Sequence, residues 1–311
     1  MLGIDDQVAV ERFARYLAGM GRSRDTRRLY VGAAQAWLRA GGHPGHVDGA
    51  LLARYLAGRR ERCAPSTVNL DIKGLKAFYR LQVDCGAATP ADVRQLPKLR
   101  KVPPRLPRWL TDAQVGEILG ACPLDTFIGL RDYAIVLTLY TTGLRASELA
   151  GMALGDFIDD EVLYTVGKGR QARYLPTGEQ LAGVLNGYLH ARAGLRPGKR
   201  NAFWLRADGK PLRNGRSIWE IVSKRIWHAL GIRSGLHRVN RGGQPWTGHY
   251  PHELRASFAT ALLHRGMPLQ AIAQLMGHRS IETTAHYLGV DLEHLRRAAA
   301  LHPRALKVST D

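Results

Sequence analysis

Residues 97–108 read PKLRKVPPRLPR, and this stretch divides the chain. Its four prolines (Pro97, Pro103, Pro104, Pro107) fix φ and remove backbone donors, so neither helix nor strand should run through it. Five cations crowd the same stretch: Lys98, Arg100, Lys101, Arg105 and Arg108. The expectation is an extended basic connector between two folded units. It gives a first domain over residues 1–96, a connector over 97–110 and a second domain over 111–311. A length of 311 residues also suits about two domains.

On the N-terminal side the pattern is helical. Ser23 and Asp25 can cap a segment whose apolar residues Leu29, Ala33, Ala36, Trp37 and Ala40 follow helical spacing up to Gly41-Gly42. Ser66 can cap another, with Val68, Ile72, Leu75, Phe78 and Tyr79 on one side and Lys73, Lys76 and Arg80 largely on the other. Such a charged face is ordinarily only solvated. On the C-terminal side, Thr111-Asp112 opens a helix, followed by the apolar run Asp132 to Tyr140. Two short β-prone runs, Glu161 to Val166 and Gln171 to Leu175, flank the turn Gly167-Lys168-Gly169-Arg170. That is a hairpin pattern with Lys168 at the turn. After Pro176 the chain reads helical almost to its end, interrupted by a Gly-rich basic loop from Arg233 to Gly248. The fold class expected is mainly α in two domains: a helical N-terminal domain, then a mixed α/β domain with a small antiparallel hairpin sheet.

Charge narrows the partner. Lys and Arg number 45 against 26 Asp and Glu, a formal net charge of +19. Of the 45 cations 36 are Arg, the side chain that forks onto phosphate oxygens. Residues 1–110 hold 20 basic and 9 acidic residues, so the smaller unit is the more basic per residue. A polyanion is what such a surface concentrates, and double-stranded DNA is the first partner to expect. An Arg-rich proteome would produce the same balance without any such partner. A basic unit, a basic connector and a second unit suit a clamp around a duplex, with Lys73, Lys76, Arg80, Arg100 and Lys101 as backbone contacts.

The remaining bounds are short. Cys63, Cys85 and Cys122 are odd in number and far apart, without disulfide or zinc-ribbon spacing. Met1 to Val10 holds Asp5 and Asp6 and no cation, unlike a secretory signal. The longest apolar run, Tyr133 to Tyr140, is far too short to span a bilayer. A reduced, cytoplasmic chain without a membrane is the expectation.

The residues able to carry chemistry are scattered. Arg145 lies in TTGLRASEL, with Glu148 three residues on, where a helix sets the carboxylate beside the guanidinium. Lys168 occupies the hairpin turn. His252 and Arg255, in PHELRASFAT, share one helical face. His278 lies in LMGHRS and Tyr287 ends SIETTAHYL. Each is weak alone: Arg–Glu pairs at this spacing are usually plain salt bridges, and a turn Lys is usually only solvated. Residues 268–289 also come close to a helix-turn-helix, which would make the chain a DNA-reading regulator with no chemistry.

Taken together and in order, these residues and their contexts resemble the tyrosine recombinases, the phage-integrase family. The resemblance rests on TTGLRASEL, VGKGRQARYLP, HELRASFAT and LMGHRSIETTAHY. The first unit, with SRDTRRLYVGAAQAWL and PSTVNLDIKGLKAFYRL, looks like that family's core-binding domain, and the tail HLRRAAALHPRAL resembles the Xer branch. Two departures stand out. Ala256 follows the HxLR motif where the family often has His, and the 233–248 loop is longer than in simple Xer proteins.

The resemblance implies a catalytic set of Arg145, Lys168, His252, Arg255, His278 and Tyr287, supported by Glu148. Tyr287 would attack a phosphodiester and form a 3′-phosphotyrosyl bond. Its phenol, with a pKa of about 10, needs a base or a positive field. Arg145 and Arg255 would hold the non-bridging oxygens, with His278 adding a hydrogen bond. His252 would accept the Tyr287 proton, and Lys168 would protonate the departing 5′ oxygen. The scheme requires neither a metal nor another cofactor. Four protomers would hold two DNA sites and pass through a Holliday junction. A helix over Asp291 to Ala305 would dock on a neighbour or on its own domain. A catalytically silent DNA binder on the same fold and a type IB topoisomerase that relaxes DNA are the alternatives, beside the regulator.

Overall fold

The computed structural model describes residues 2–102, 108–167, 171–195, 201–212, 214–231 and 251–277. The chain divides into two compact units, Met1–Pro104 and Arg105–Asp311. Helices dominate both.

The first unit is built from α1 (Ile4–Gly19), α2 (Arg24–Arg39), α3 (Gly49–Arg62), α4 (Pro65–Asp84) and the short α5 (Pro90–Gln95). Ser23 caps α2 as its spacing predicts, its Oγ accepting from the Thr26 amide at 3.2 Å. The expected Ser66 cap is corrected: α4 starts two residues earlier, with Ala64 in the cap position and Pro65 in the first turn. Proline suits that position, because its missing N–H is one the helix start leaves unpaired anyway. The apolar side of α4 is buried against α2, and the two helices approach closely at Gly74. A Cβ there would stand 2.9 Å from that of Ala33. Trp37 and Tyr79 bring their polar atoms into the core as a satisfied chain. The indole Nε1 donates to the Tyr79 hydroxyl at 2.7 Å, which donates to the His43 carbonyl at 2.6 Å.

The second unit opens with α6 (Asp112–Gly120), whose cap Thr111 and Gln114 satisfy each other's backbone amides. Next come α7 (Phe127–Thr142) and the five-residue α8 (Ala146–Ala150). Three antiparallel strands follow, β1 (Phe157–Ile158), β2 (Val162–Val166) and β3 (Ala172–Pro176), in the order β1-β2-β3. The hairpin register pairs Leu163 with Leu175 and Thr165 with Arg173. Helices α9 (Gly178–Ala193), α10 (Gly215–Leu230), α11 (Pro251–His264) and α12 (Leu269–Met276) complete the described part.

The sequence pattern after Pro176 needs one correction. Residues 201–212 are extended, with isolated bridges Ala153–Ala202 and Leu205–Pro211. Phe203, Trp204 and Leu205 there are fully buried. A turn at Asp208-Gly209, where Gly209 has φ +72°, folds the segment back so that Leu212 donates to the Trp204 carbonyl. A short apolar run flanked by turn residues can be strand-like or helical, and periodicity does not separate the two. The expected 233–248 loop and the 291–305 helix lie outside the described residues.

Helix α7 is the spine. It is apolar on nearly all sides because other helices, α9 and α11 foremost, surround it. Its one buried carboxylate, Asp132, takes the guanidiniums of Arg131 and of Arg225 on α10 at 2.6 and 2.8 Å. The helix ends at Gly143, which adopts φ +62°. A Cβ on Gly143 would also lie 2.4 Å from the Phe258 ring of α11. Gly143→Ala therefore meets left-handed strain and a clash together and should cost about 2–4 kcal/mol in urea unfolding. Gly231→Ala, at φ +65° with open space around it, should cost only about 1–2 kcal/mol. Equal losses would show that the fit against Phe258 contributes nothing.

Candidate catalytic site and nucleic-acid interface

The turn at Gly143 directs the chain out of α7 and into the site. Leu144 is buried, and Arg145 becomes the N-cap of α8. Glu148, one turn on, reaches back twice: Oε2 accepts from the Arg145 amide at 2.9 Å and Oε1 from its Nη1 at 2.7 Å. The guanidinium of Arg145 is thus aimed by its own helix, and its side chain stays partly open to solvent.

Glu148 carries a second cation that the sequence reading missed. Arg173 of β3 donates from Nη2 to Oε2 at 2.7 Å, with Nη1 at 3.5 Å from Oε1. Burial alone would raise the pKa of Glu148. The hydrogen bonds and charges of Arg173 and Arg145 win and hold it down to about 2. A signal for Arg173 did exist in the strand alternation. Arg173 and Leu175 share the inward face of β3, and an inward Arg requires a carboxylate.

From α11, Arg255 comes to the same turn. Its side chain is 1% exposed, and its plane is fixed by two backbone carbonyls: Nη1 donates to Gly143 O and Nη2 to Met276 O at 2.5 Å. One arginine therefore ties the end of α7 to the end of α12. His252, one turn before it on α11, reaches solvent. Even so, the protein around its ring and the charges of Arg255 and Arg145 push its pKa below the usual 6.5. Both effects favour the neutral imidazole, which leaves one ring nitrogen free of a proton.

Arg145, Glu148, His252 and Arg255, drawn from two sequence motifs more than a hundred residues apart, thus meet at the junction of α7, α8 and α11. Lys168, His278 and Tyr287 lie outside the described residues. The residues just before two of them are described: Gly167 closes the base of the hairpin by donating to Gln171 O at 2.8 Å, and Gly277, φ +63°, ends α12. Among the described residues no group of three His, Cys, Asp or Glu gathers as metal ligands do. Nor is any described helix long and apolar enough to cross a membrane.

The basic face of the first unit is also built. Lys73 and Arg80 of α4 are exposed and Lys76 is half-buried. Asn69, four residues before Lys73 on the same stripe, pairs with the backbone of Arg100: Nδ2 donates to its carbonyl at 2.8 Å and Oδ1 accepts from its amide at 2.9 Å. The start of the connector, with exposed Arg100 and Lys101, is thereby laid along α4 beside its cations.

Comparison with known proteins identifies the family. Residues 108–294 match the phage integrase family. Tyrosine recombinase XerD of Xanthomonas axonopodis pv. citri is 37% identical over 96% of this chain and 98% of its own length. Tyrosine recombinase XerA of Pyrococcus furiosus is 31% identical over 93% of this chain and 92% of its own. Two solved structures share the fold: the XerH recombinase on a palindromic difH substrate after cleavage (TM-score 0.68, 18% identity, 88% of this chain and 79% of that one) and the lambda integrase tetramer on a Holliday junction (TM-score 0.67, 19% identity, 89% and 79%). The chain belongs to the phage integrase family and is one of its tyrosine recombinases.

Proposed function

We propose that this chain is a site-specific recombinase that cuts and rejoins double-stranded DNA at Tyr287, with Arg145, Arg255, His252, His278 and Lys168 as its catalytic partners. The observation that carries the reading is the convergence of Arg145, His252 and Arg255 at one helix junction. Arg145 and Arg255 bind the non-bridging oxygens and stabilise the charge that grows as phosphorus becomes five-coordinate. His252 takes the proton of Tyr287 as its oxygen bonds to phosphorus. The P–O5′ bond breaks, and Lys168 gives that oxygen a proton. His278 adds a hydrogen bond to the phosphoryl group. The phosphotyrosyl bond keeps the energy of the broken linkage, so a free 5′-hydroxyl of another strand reverses the step without ATP. The steps are written without metal or cofactor. Two sites of two strands each require four nucleophiles, hence four protomers on paired DNA. The reaction belongs in the cytoplasm with its substrate. The cationic stripe of α4 with Arg100 and Lys101 holds DNA phosphates, and the domain limits follow residues 1–96, 97–110 and 111–311.

A nicked suicide duplex tests the nucleophile. The wild-type chain should form a protein–DNA adduct that survives denaturation, and Tyr287→Phe should form none. An adduct that persists in Tyr287→Phe would overturn the assignment, and strand-exchange products separate recombination from relaxation. The protonation sense is equally open to test. Cleavage at limiting DNA should fall with acid as His252 gains a proton, with a midpoint below 6.5, and His252→Gln should lose that limb. A limb retained in the variant would remove His252 as the base. For the stripe, replacing Lys73, Lys76 and Arg80 together by Gln should lower the slope of log K against log salt by about 2–3. An unchanged slope would take α4 off the phosphate backbone.

A further inference from the structure

Arg173 is the buried cation that the mechanism above does not use. Its side chain is only 10% exposed, and beyond its bonds to Glu148 the buried Nε has no hydrogen-bond partner. The pair it makes with Glu148 fills a narrow space bounded by two glycines. A Cβ on Gly167 would lie 3.1 Å from Glu148 Oε1 and 3.2 Å from Arg173 Nη1, while one on Gly277 would lie 2.8 Å from the same Nη1. Gly167 is the residue before Lys168. The backbone that delivers the proposed acid therefore rests directly on the ion pair that aims Arg145.

Resting on the recombinase reading, we propose that Arg173 is a positioning residue. By bridging Glu148 to the base of the β2–β3 hairpin, it sets where Lys168 stands relative to Arg145 and the scissile phosphate. Leu163 and Leu175 anchor the middle of the hairpin in the core, and Arg173 adds a tie nearer its turn end. Locking its base to the carboxylate that already orients Arg145 puts both cations in one frame. Misplacing a catalytic group by about 1 Å can cost about a hundredfold in rate.

The test exploits the leaving group. With an ordinary 5′ oxygen the departing alkoxide needs an acid. With sulfur in the bridging position the thiolate leaves without one, its conjugate acid being far stronger. Arg173→Gln should bind the duplex as wild type does and melt cooperatively. It should form the Tyr287 adduct about a hundredfold more slowly on the oxygen substrate, near the loss from Lys168→Ala, and close to the wild-type rate on the sulfur substrate. Arg173→Lys keeps the charge but not the fork, and covers the case in which the Gln variant fails to fold. It should be slowed to a smaller degree with the same selective rescue. A variant that cleaves the oxygen substrate at the wild-type rate, or is slowed equally on both, would overturn the proposal. A wild-type chain with no adduct on either substrate would overturn the recombinase reading itself, and this proposal with it.

Discussion

One buried carboxylate, Glu148, makes the rest of the site possible. The chemistry gathers cations, and cations in a shared protein interior repel one another: two unit charges 4 Å apart interact by about 4 kcal/mol at an intermediate dielectric. Glu148 offsets that repulsion for Arg145 and Arg173 together, with one oxygen also accepting the Arg145 amide. Arg255 is oriented by different means, the carbonyl dipoles of Gly143 and Met276 fixing its plane. Carbonyls hold a guanidinium without cancelling its charge, so these two bonds leave intact its attraction for the phosphate it is proposed to bind. The depression of Glu148 to about 2 has a definite sign in stability. Its contribution is present above its unfolded value of 4.5 and is lost as the pH falls towards 2.

Gly143 links this electrostatic arrangement to the core. Its left-handed turn ends α7, its missing side chain admits Phe258, and its carbonyl accepts from Arg255. The two proposed phosphate-binding arginines, 110 residues apart in the chain, are thus referenced to a single residue at the C-terminal end of α7. Ala256 fits the same picture. It is 1% exposed, so this position faces the interior, and the imidazole that the family often carries would be buried there with a need for hydrogen-bond partners.

Much of this was legible in the sequence because the signals were local. Ser23 before a helical repeat and Thr111-Asp112 name their own helix starts, and the glycine-flanked turn at Lys168 names the hairpin. Ser66 misled because Pro65 beside it is the stronger start signal, serving at N1 where Ser would serve at N-cap. The extended segment 201–212 was hidden because Phe203-Trp204-Leu205 is buried on every side and shows neither a two-residue nor a 3.6-residue period. The shared role of Glu148 was half legible. Its spacing to Arg145 is a helical one, but its bond to Arg173 crosses 25 positions and depends on the hairpin register. Tertiary ion pairs leave no periodic trace; only an inward-facing charge on a strand hints at one.

The same electrostatics bear on how the molecule meets its substrate. A chain of net charge +19 approaches DNA from a distance through the whole surface, and screening over about 8–10 Å governs that encounter. The proposed catalytic cations act differently: held at short range in a partly buried site, they are screened much less. Surface cations such as Lys73 and Arg80 should therefore decide how tightly and how salt-sensitively DNA is held. The geometry imposed by Glu148, Gly143 and the two carbonyls decides what happens to one phosphate once it arrives. In the proposed mechanism, placing a dianionic five-coordinate phosphorus beside Arg145 and Arg255 relieves the repulsion between the guanidiniums as charge develops. The strain of gathering like charges is thus released most fully at the transition state, which is where released energy accelerates a reaction.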